Sequence, residues 1–323
     1  MLVQLHGRDI MWQKERLLNL ALQWVPKTCD KIAWLDCDVI FASAEWVERA
    51  SQALEEFPLL HLFHERHDLP HHVELDHLRS WDLPPTSQSV VWKIAAGEAT
   101  AEDLFLAGAP LERRSTAGLA WASRRDVLEK HGLYDACILG TGDRVILCAA
   151  LGKFAYGARA VLMNARREEH YLAWARPYCD TVQGRVGSIP GRLFHLWHGD
   201  LSNRRYQERH RDLEAFHFDP FTDIAVDEQG GWRWNSDKRE LHAFVRRYFT
   251  SRNEDGAERG ATGASGCQSP PRAESAKGIA RSQAQQGAPE DRESLLAKGE
   301  ILTDTQAHPL PPEELARWES DKE

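Results

Sequence analysis

Residues 31–41 read KIAWLDCDVIF, and the fold turns on how this stretch is read. A short apolar run, Ile32 to Leu35, ends in two carboxylates one residue apart, Asp36 and Asp38, and Val39, Ile40 and Phe41 resume at once. An amphipathic helical pattern lies on each side. That is the layout of a buried parallel strand with acids at its carboxyl end, where open α/β sheets bind ligands. On extended backbone, residues two apart point to the same side. Asp36 and Asp38 can therefore aim both carboxylates at one hard cation, and Mn²⁺ or Mg²⁺ fits oxygen ligands of this kind. Such a cation would bridge a diphosphate. The same pair also fits a solvated strand end or a helix cap.

Upstream, Met11 to Val25 reads as a helix: Leu17, Leu18, Ala21, Leu22, Trp24 and Val25 fall at helical spacing, Asp9 can cap it and Pro26 closes it. Leu2 to Leu5 reads as a strand. Downstream, Ser43 can cap a helix with Trp46, Val47, Ala50, Leu54 and Phe57 on one face, and Leu59 to Phe63 reads as another short strand. His64 to Pro85 is polar and has no clear period, so it reads as a long surface loop. Its histidines (His64, His67, His71, His72 and His77) read as solvated, because no other part of a ligand set lies nearby.

The middle of the chain continues the α/β pattern. Gly118 to Ser123 (GLAWAS) reads as a strand, Arg124 to His131 as a short helix, and Gly132 as its stop. A Gly140-Thr141-Gly142 turn then delivers Asp143 to the first turn of a helix ending at Gly152, where the helix dipole favours a carboxylate. Asp143 is a candidate general base, or a helix-start carboxylate without chemistry. Arg166 to Tyr178 reads as helical. Arg192 to Trp197 (RLFHLW) reads as a strand leading into His198-Gly199-Asp200, followed by a charged helix, a hairpin at Ala225 to Asn235 and a last helix ending near Phe249. His195 or His198 would complete an Asp, Asp, His set. Strand alternation allows only one of them, and His198, where the chain leaves the strand, is preferred. Basic pairs at Lys14 and Arg16, or Arg204 and Arg205, are candidates for a phosphate pocket or for solvated helix faces.

At 323 residues the chain can bury a sizeable core, and its 42% hydrophobic and 28% charged content is that of an ordinary globular protein. A formal charge of -9 argues against a nucleic-acid binder working through bulk electrostatics. No run approaches a membrane span. The six cysteines form no CxxC pair, so a reduced, cytoplasmic setting is expected. The twelve tryptophans can be core fillers or platforms for sugar rings. After Thr250 the composition turns polar and sparse in apolar residues, which divides the chain into a domain over 1–250 and a disordered tail over 251–323.

Taken in order, the DCD strand, the GLAWASRRDVLEKHGLYDACILGTGD block and HLWHGDLSNRRYQERH resemble the nucleotide-sugar glycosyltransferases of the GT-A fold. They are most similar to bacterial and phage transferases related to the galactosyltransferase and chondroitin-polymerase group. The resemblance runs from about Trp12 (WQKERLLN) to about Phe249. It implies a mixed, mainly parallel sheet flanked by helices. It also implies an inverting, metal-dependent transfer from a nucleotide diphospho-sugar, foremost a UDP-sugar, to a glycan or other hydroxyl acceptor. The metal, Mn²⁺ or Mg²⁺, would sit on Asp36, Asp38 and His198, with His195 in reserve. Asp143 would be the base, and Lys14, Arg16, Asp36, Gly118 and Gly142 would lie on the donor side. Two differences stand out. Inverting galactosyl-type members usually pair Glu-Asp where Gly142 precedes a single Asp143. The family's first strand-helix units precede the helix matching WQKERLLN, near which this chain begins, so a GT-A-like domain lacking those units is expected. The rival expectation is a non-catalytic remnant that holds a sugar or a partner. A metal-dependent hydrolase is weaker, since no HExxH or nucleophile elbow is present.

Overall fold

The computed structural model describes residues 2–71, 73, 78, 84–102, 115–199, 201–206 and 208–254. The tail expected from 251 thus lies outside the described residues from 255 onward, as do His72, His77 and Asp200.

Helix α1 (Lys14–Ala21) runs into a 3₁₀ turn at Leu22–Trp24, so the upstream helix is shorter than its apolar pattern. Asp9 does not cap it; its carboxylate accepts a hydrogen bond from the Trp234 backbone 2.9 Å away. Leu2 to Leu5 forms no strand and is exposed. Next come β1 (Lys31–Leu35), β2 (Val39–Phe41), α2 (Trp46–Glu56), β3 (Leu59–His61), β4 (Glu65–Asp68), β5 (Ser87–Ser89), α3 (Val90–Ala95), β6 (Ser115–Thr116) and β7 (Ala120–Arg124). Then follow α4 (Arg125–His131), α5 (Gly142–Ala150), α6 (Phe154–Ala160), α7 (Ala165–Val182), β8 (Val186–Ser188), β9 (Arg192–His195), α8 (Glu208–Glu214), β10 (Ile224–Val226), β11 (Trp232–Trp234) and α9 (Arg239–Ser251). No helix among the described residues is long and apolar enough to cross a membrane.

The architecture is mixed α/β with mixed sheets. One sheet has the order β1-β7-β3-β8 and a second the order β2-β9-β4-β5-β6, with β10-β11 as a hairpin. The pairs β3–β8, β4–β9 and β5–β6 are parallel, whereas β1–β7, β3–β7, β2–β9, β4–β5 and the hairpin are antiparallel. The expected parallel, doubly covered β1 is therefore corrected. Among the described residues it ends its sheet, pairs only with β7, and buries Trp34 alone, leaving Leu35 40% exposed. Lys31 shows why, since a strand covered on both faces has no place for an ammonium. The supposed loop after His64 opens with a strand, because His67 faces inward at 3% exposure while β4 pairs with β9.

Helix α5 is the spine of the core. Val145, Leu147, Cys148, Ala149 and Ala150 are fully buried, and α6 and α7 pack against it. A helix apolar on all sides belongs in an interior. Its first turn, carrying Asp143, is thereby fixed to the buried core. Gly132 ends α4 with a φ of 62°, a positive value that glycine adopts without steric cost.

A candidate metal centre and the lysine cluster beside it

The two aspartates of DCD face different neighbours. Asp38 leads into β2, which runs antiparallel to β9 with Val39 opposite His195, and the Leu196 N–H donates to the Asp38 carbonyl over 2.8 Å. This register sets Asp38 against the end of β9. The strand stops at His195, so alternation no longer governs His198, and both rings turn to the same carboxylate. His198 Nε2 lies 2.9 Å from His195 Nε2. Asp38 Oδ2 lies 3.2 Å from His198 Nε2 and 3.6 Å from His195 Nε2. Donor atoms bound at ~2.1 Å to one ion at right angles are about 3 Å apart, so these spacings suit a shared cation. Asp38 Oδ1 is buried without a hydrogen-bond partner, a further sign of a set awaiting a cation. Where strand alternation was expected to offer one histidine, both rings come close enough to Asp38 that Asp38, His195 and His198 together could hold a metal ion.

Asp68 stands behind this group. β4 runs parallel to β9 with Asp68 opposite His195, and its Oδ1 lies 3.0 Å from His195 Nδ1. Arg66 grips the same carboxylate with two hydrogen bonds, from Nε to Oδ1 (2.7 Å) and from Nη2 to Oδ2 (2.6 Å). A carboxylate on the far nitrogen of an imidazole fixes its tautomer and leaves Nε2 free to bind a metal. Burial opposes ionisation of Asp68, yet the hydrogen bonds from His195 and Arg66 carry it down to about 2. Burial likewise disfavours charge on Asp38 and on His195. The closeness of the two groups outweighs it, holding the Asp38 carboxyl low and, with Asp68 bonded behind the ring, the His195 imidazole high. His198 is pushed down by burial and then by the Arg204 guanidinium, whose Nη2 is 2.8 Å from His198 Nε2 and 3.4 Å from Glu254.

Asp36 stands outside the three-ligand group. Its backbone N–H donates to the Leu119 carbonyl over 2.8 Å, and its Oδ1 is 2.6 Å from Lys14 Nζ. The same ammonium is 2.9 Å from Asp143 Oδ2. Burial works against a charge on Lys14, but Asp143 and Asp36 together hold it firmly protonated. Burial, partly offset by Lys14, keeps Asp36 above the usual carboxylate range, and Asp38 adds to the effect, so the two clusters adjoin. Lys14 is placed at the first residue of α1, Asp36 at the end of β1 and Asp143 in the first turn of α5.

The two glycines expected on the donor side are both closely packed. A Cβ on Gly118 would lie 3.1 Å from Asp143 Oδ2, so this glycine makes room for the carboxylate. Its carbonyl is 2.8 Å from Nε2 of buried His61, whose Nδ1 is 2.6 Å from the Ser89 hydroxyl. Burial drives His61 down to about 4, so it is neutral, with the proton on Nε2 directed at Gly118. The space of a Gly142 side chain is taken by Glu15. Strain gathers at both approaches to Asp143: Leu119 has a φ of 82° and Thr141 one of 75°, conformations that non-glycine residues rarely keep without cause. Thr141 is pinned by Arg209, whose Nη2 donates to its hydroxyl over 2.6 Å, and His210 Nε2 lies 3.1 Å from the same oxygen.

Arg16, expected on the donor side, makes its contacts with the hairpin and Asp135 rather than with the Lys14 cluster. It donates to the Gly230 carbonyl over 2.5 Å, pairs with Asp135 at 3.4 Å and lies 5.0 Å over the Trp232 ring, tying α1 to the β10–β11 hairpin. Three residues of the site escaped sequence reading: Asp68, Arg66 and Glu15. Asp68 carries no local signal, since its role depends on which strand β4 pairs with. Glu15 does carry one, being an acid on the same helical stripe as Leu18 and Leu22.

Compared with protein-family models, with curated proteins and with solved structures, the chain finds no match in any of the three.

Proposed function

We propose that this chain is a metal-dependent glycosyltransferase of GT-A-like fold, moving a sugar from a nucleotide diphospho-sugar, foremost a UDP-sugar, to an acceptor hydroxyl with inversion. The observation that carries this reading is the adjacency of two chemically distinct centres at the end of one strand. One is a cation-binding group of Asp38, His195 and His198; the other is a Lys14-centred pair of carboxylates, Asp36 and Asp143. One carboxylate and two imidazoles suit Mn²⁺ better than Mg²⁺, which prefers an all-oxygen shell. Asp38, His195 and His198 would hold Mn²⁺, and the chemistry it would supply is Lewis-acid stabilisation of a leaving diphosphate. Asp68 and Arg66 orient His195 for that role. Asp143 accepts the proton of the acceptor hydroxyl as its oxygen attacks the anomeric carbon and the bond to the diphosphate oxygen breaks. Lys14 fixes the direction of the Asp143 carboxylate, and the buried α5 keeps its position.

The test is release of UDP from UDP-sugars in Mn²⁺, first without and then with hydroxyl acceptors. Slow release by the wild type, stopped by a chelator and by Asp38→Ala, is the expected result. Asp143→Asn should bind donor and fail to transfer. Absence of release with every UDP-sugar, alongside normal Mn²⁺ binding, contradicts the reading.

A further inference from the structure

Glu15 is a buried acid for which this reading has no use. It is 2% exposed, its Oε2 accepts a hydrogen bond from Trp12 Nε1 over 2.9 Å, and its Oε1 is buried with no partner. A Cβ built on Gly142 would overlap Glu15 Oε1 and Cδ. The carboxyl of α1 therefore fills the place of a side chain at residue 142, immediately before Asp143. An ionised oxygen buried without a donor is costly, and three carboxylates around one ammonium would be costlier still. A carboxylic acid at this place avoids both costs.

We propose that Glu15 is a carboxyl supplied from another helix into the side-chain space of Gly142, beside the turn that presents Asp143, where it stays a neutral acid and leaves Lys14 to the two aspartates. The importance of Asp143 rests on the transferase reading; the state of Glu15 does not. The groups facing Glu15 are Asp143 on α5, Lys14 on its own helix with Asp36 beyond it, the Trp12 indole N–H, and the Cys137 thiol before the turn. Arg209 of α8 reaches the same turn at Thr141. Burial first, and then the charge of Asp143, push Glu15 up to about 8. An acid that holds its proton more tightly when folded weakens the fold as pH rises from the unfolded glutamate value of 4.5 to about 8, and the loss levels off above that.

Thermal unfolding from pH 4.5 to pH 9 tests this without any substrate. Relative to Glu15→Gln, the wild type should lose Tm progressively up to pH 8, by about 5 °C or more, and then run parallel. A gap that is constant with pH overturns the proposal. The second arm moves the carboxyl to the other wall of the same space. The backbone at Gly142 is not left-handed, so a side chain there is acceptable once Glu15 is cut back. Glu15→Ala should lack the pH-dependent fall, and Glu15→Ala/Gly142→Asp should regain it. A double variant that follows Glu15→Ala at every pH overturns the claim that this space is the turn's acid site. Failure of the transferase reading would look different, with no UDP release while these curves behave as described.

Discussion

Asp36 and Asp38 are two residues apart and share a strand end, yet the fold treats them in opposite ways. Asp36 receives an ammonium from the chain itself, Lys14, which also holds Asp143. Asp38 receives two imidazoles, and its Oδ1 keeps no partner. The first arrangement sets one ammonium between two carboxylates; the second sets a carboxylate against two imidazoles, with the Arg204 guanidinium at the edge of the group, in an arrangement that could hold a metal ion. An Asp-x-Asp pair is therefore not one device. The alternation that sends both side chains to one side does not oblige them to serve one ion, and what each does depends on what the neighbouring helices and strands bring to it.

The largest expected effect separates the two regions by stability. Lys14→Met removes the shared cation from two largely buried carboxylates, and loss of one partner of such a pair should cost about 3 kcal/mol at pH 7, read by urea unfolding. Mn²⁺ affinity should change by less than about tenfold, because the ligand group is not touched. Unchanged stability, or a loss of Mn²⁺ binding as large as that from Asp38→Ala, would erase the distinction. A smaller effect is expected from Asp68→Asn, which weakens the hold on His195 Nδ1. Mn²⁺ affinity measured by calorimetry should fall by about 10- to 100-fold, with the Lys14 cluster intact. An affinity equal to that of the wild type would mean that Asp68 only braces β4 through Arg66.

Much of this was legible in the chain because it is local. Acids after an apolar run, a Gly-Thr-Gly turn before Asp143 and histidines at a strand exit are all short-range patterns, and the structure brings Lys14, Asp36, Asp38, Asp143, His195 and His198 to neighbouring positions. What was not legible depends on pairing between distant segments. KIAWL does not reveal that it pairs antiparallel with β7, and ERHD does not reveal that its Asp68 will lie opposite His195. The contacts of Arg16 were hidden for a related reason. Lys14, Glu15 and Arg16 point in three directions around a helix, and only the packing of α1 against the hairpin and the turn decides which of them meets Asp36.

One carboxylate and two imidazoles are expected to hold the same ion. Pulsed EPR of Mn²⁺ bound to the protein reads the ligand nitrogens directly. Couplings from two imidazole nitrogens, falling to one in His195→Ala and left at two in Asp36→Ala, are the predicted result. Bound Mn²⁺ with no imidazole coupling, or couplings that disappear in Asp36→Ala, would contradict it.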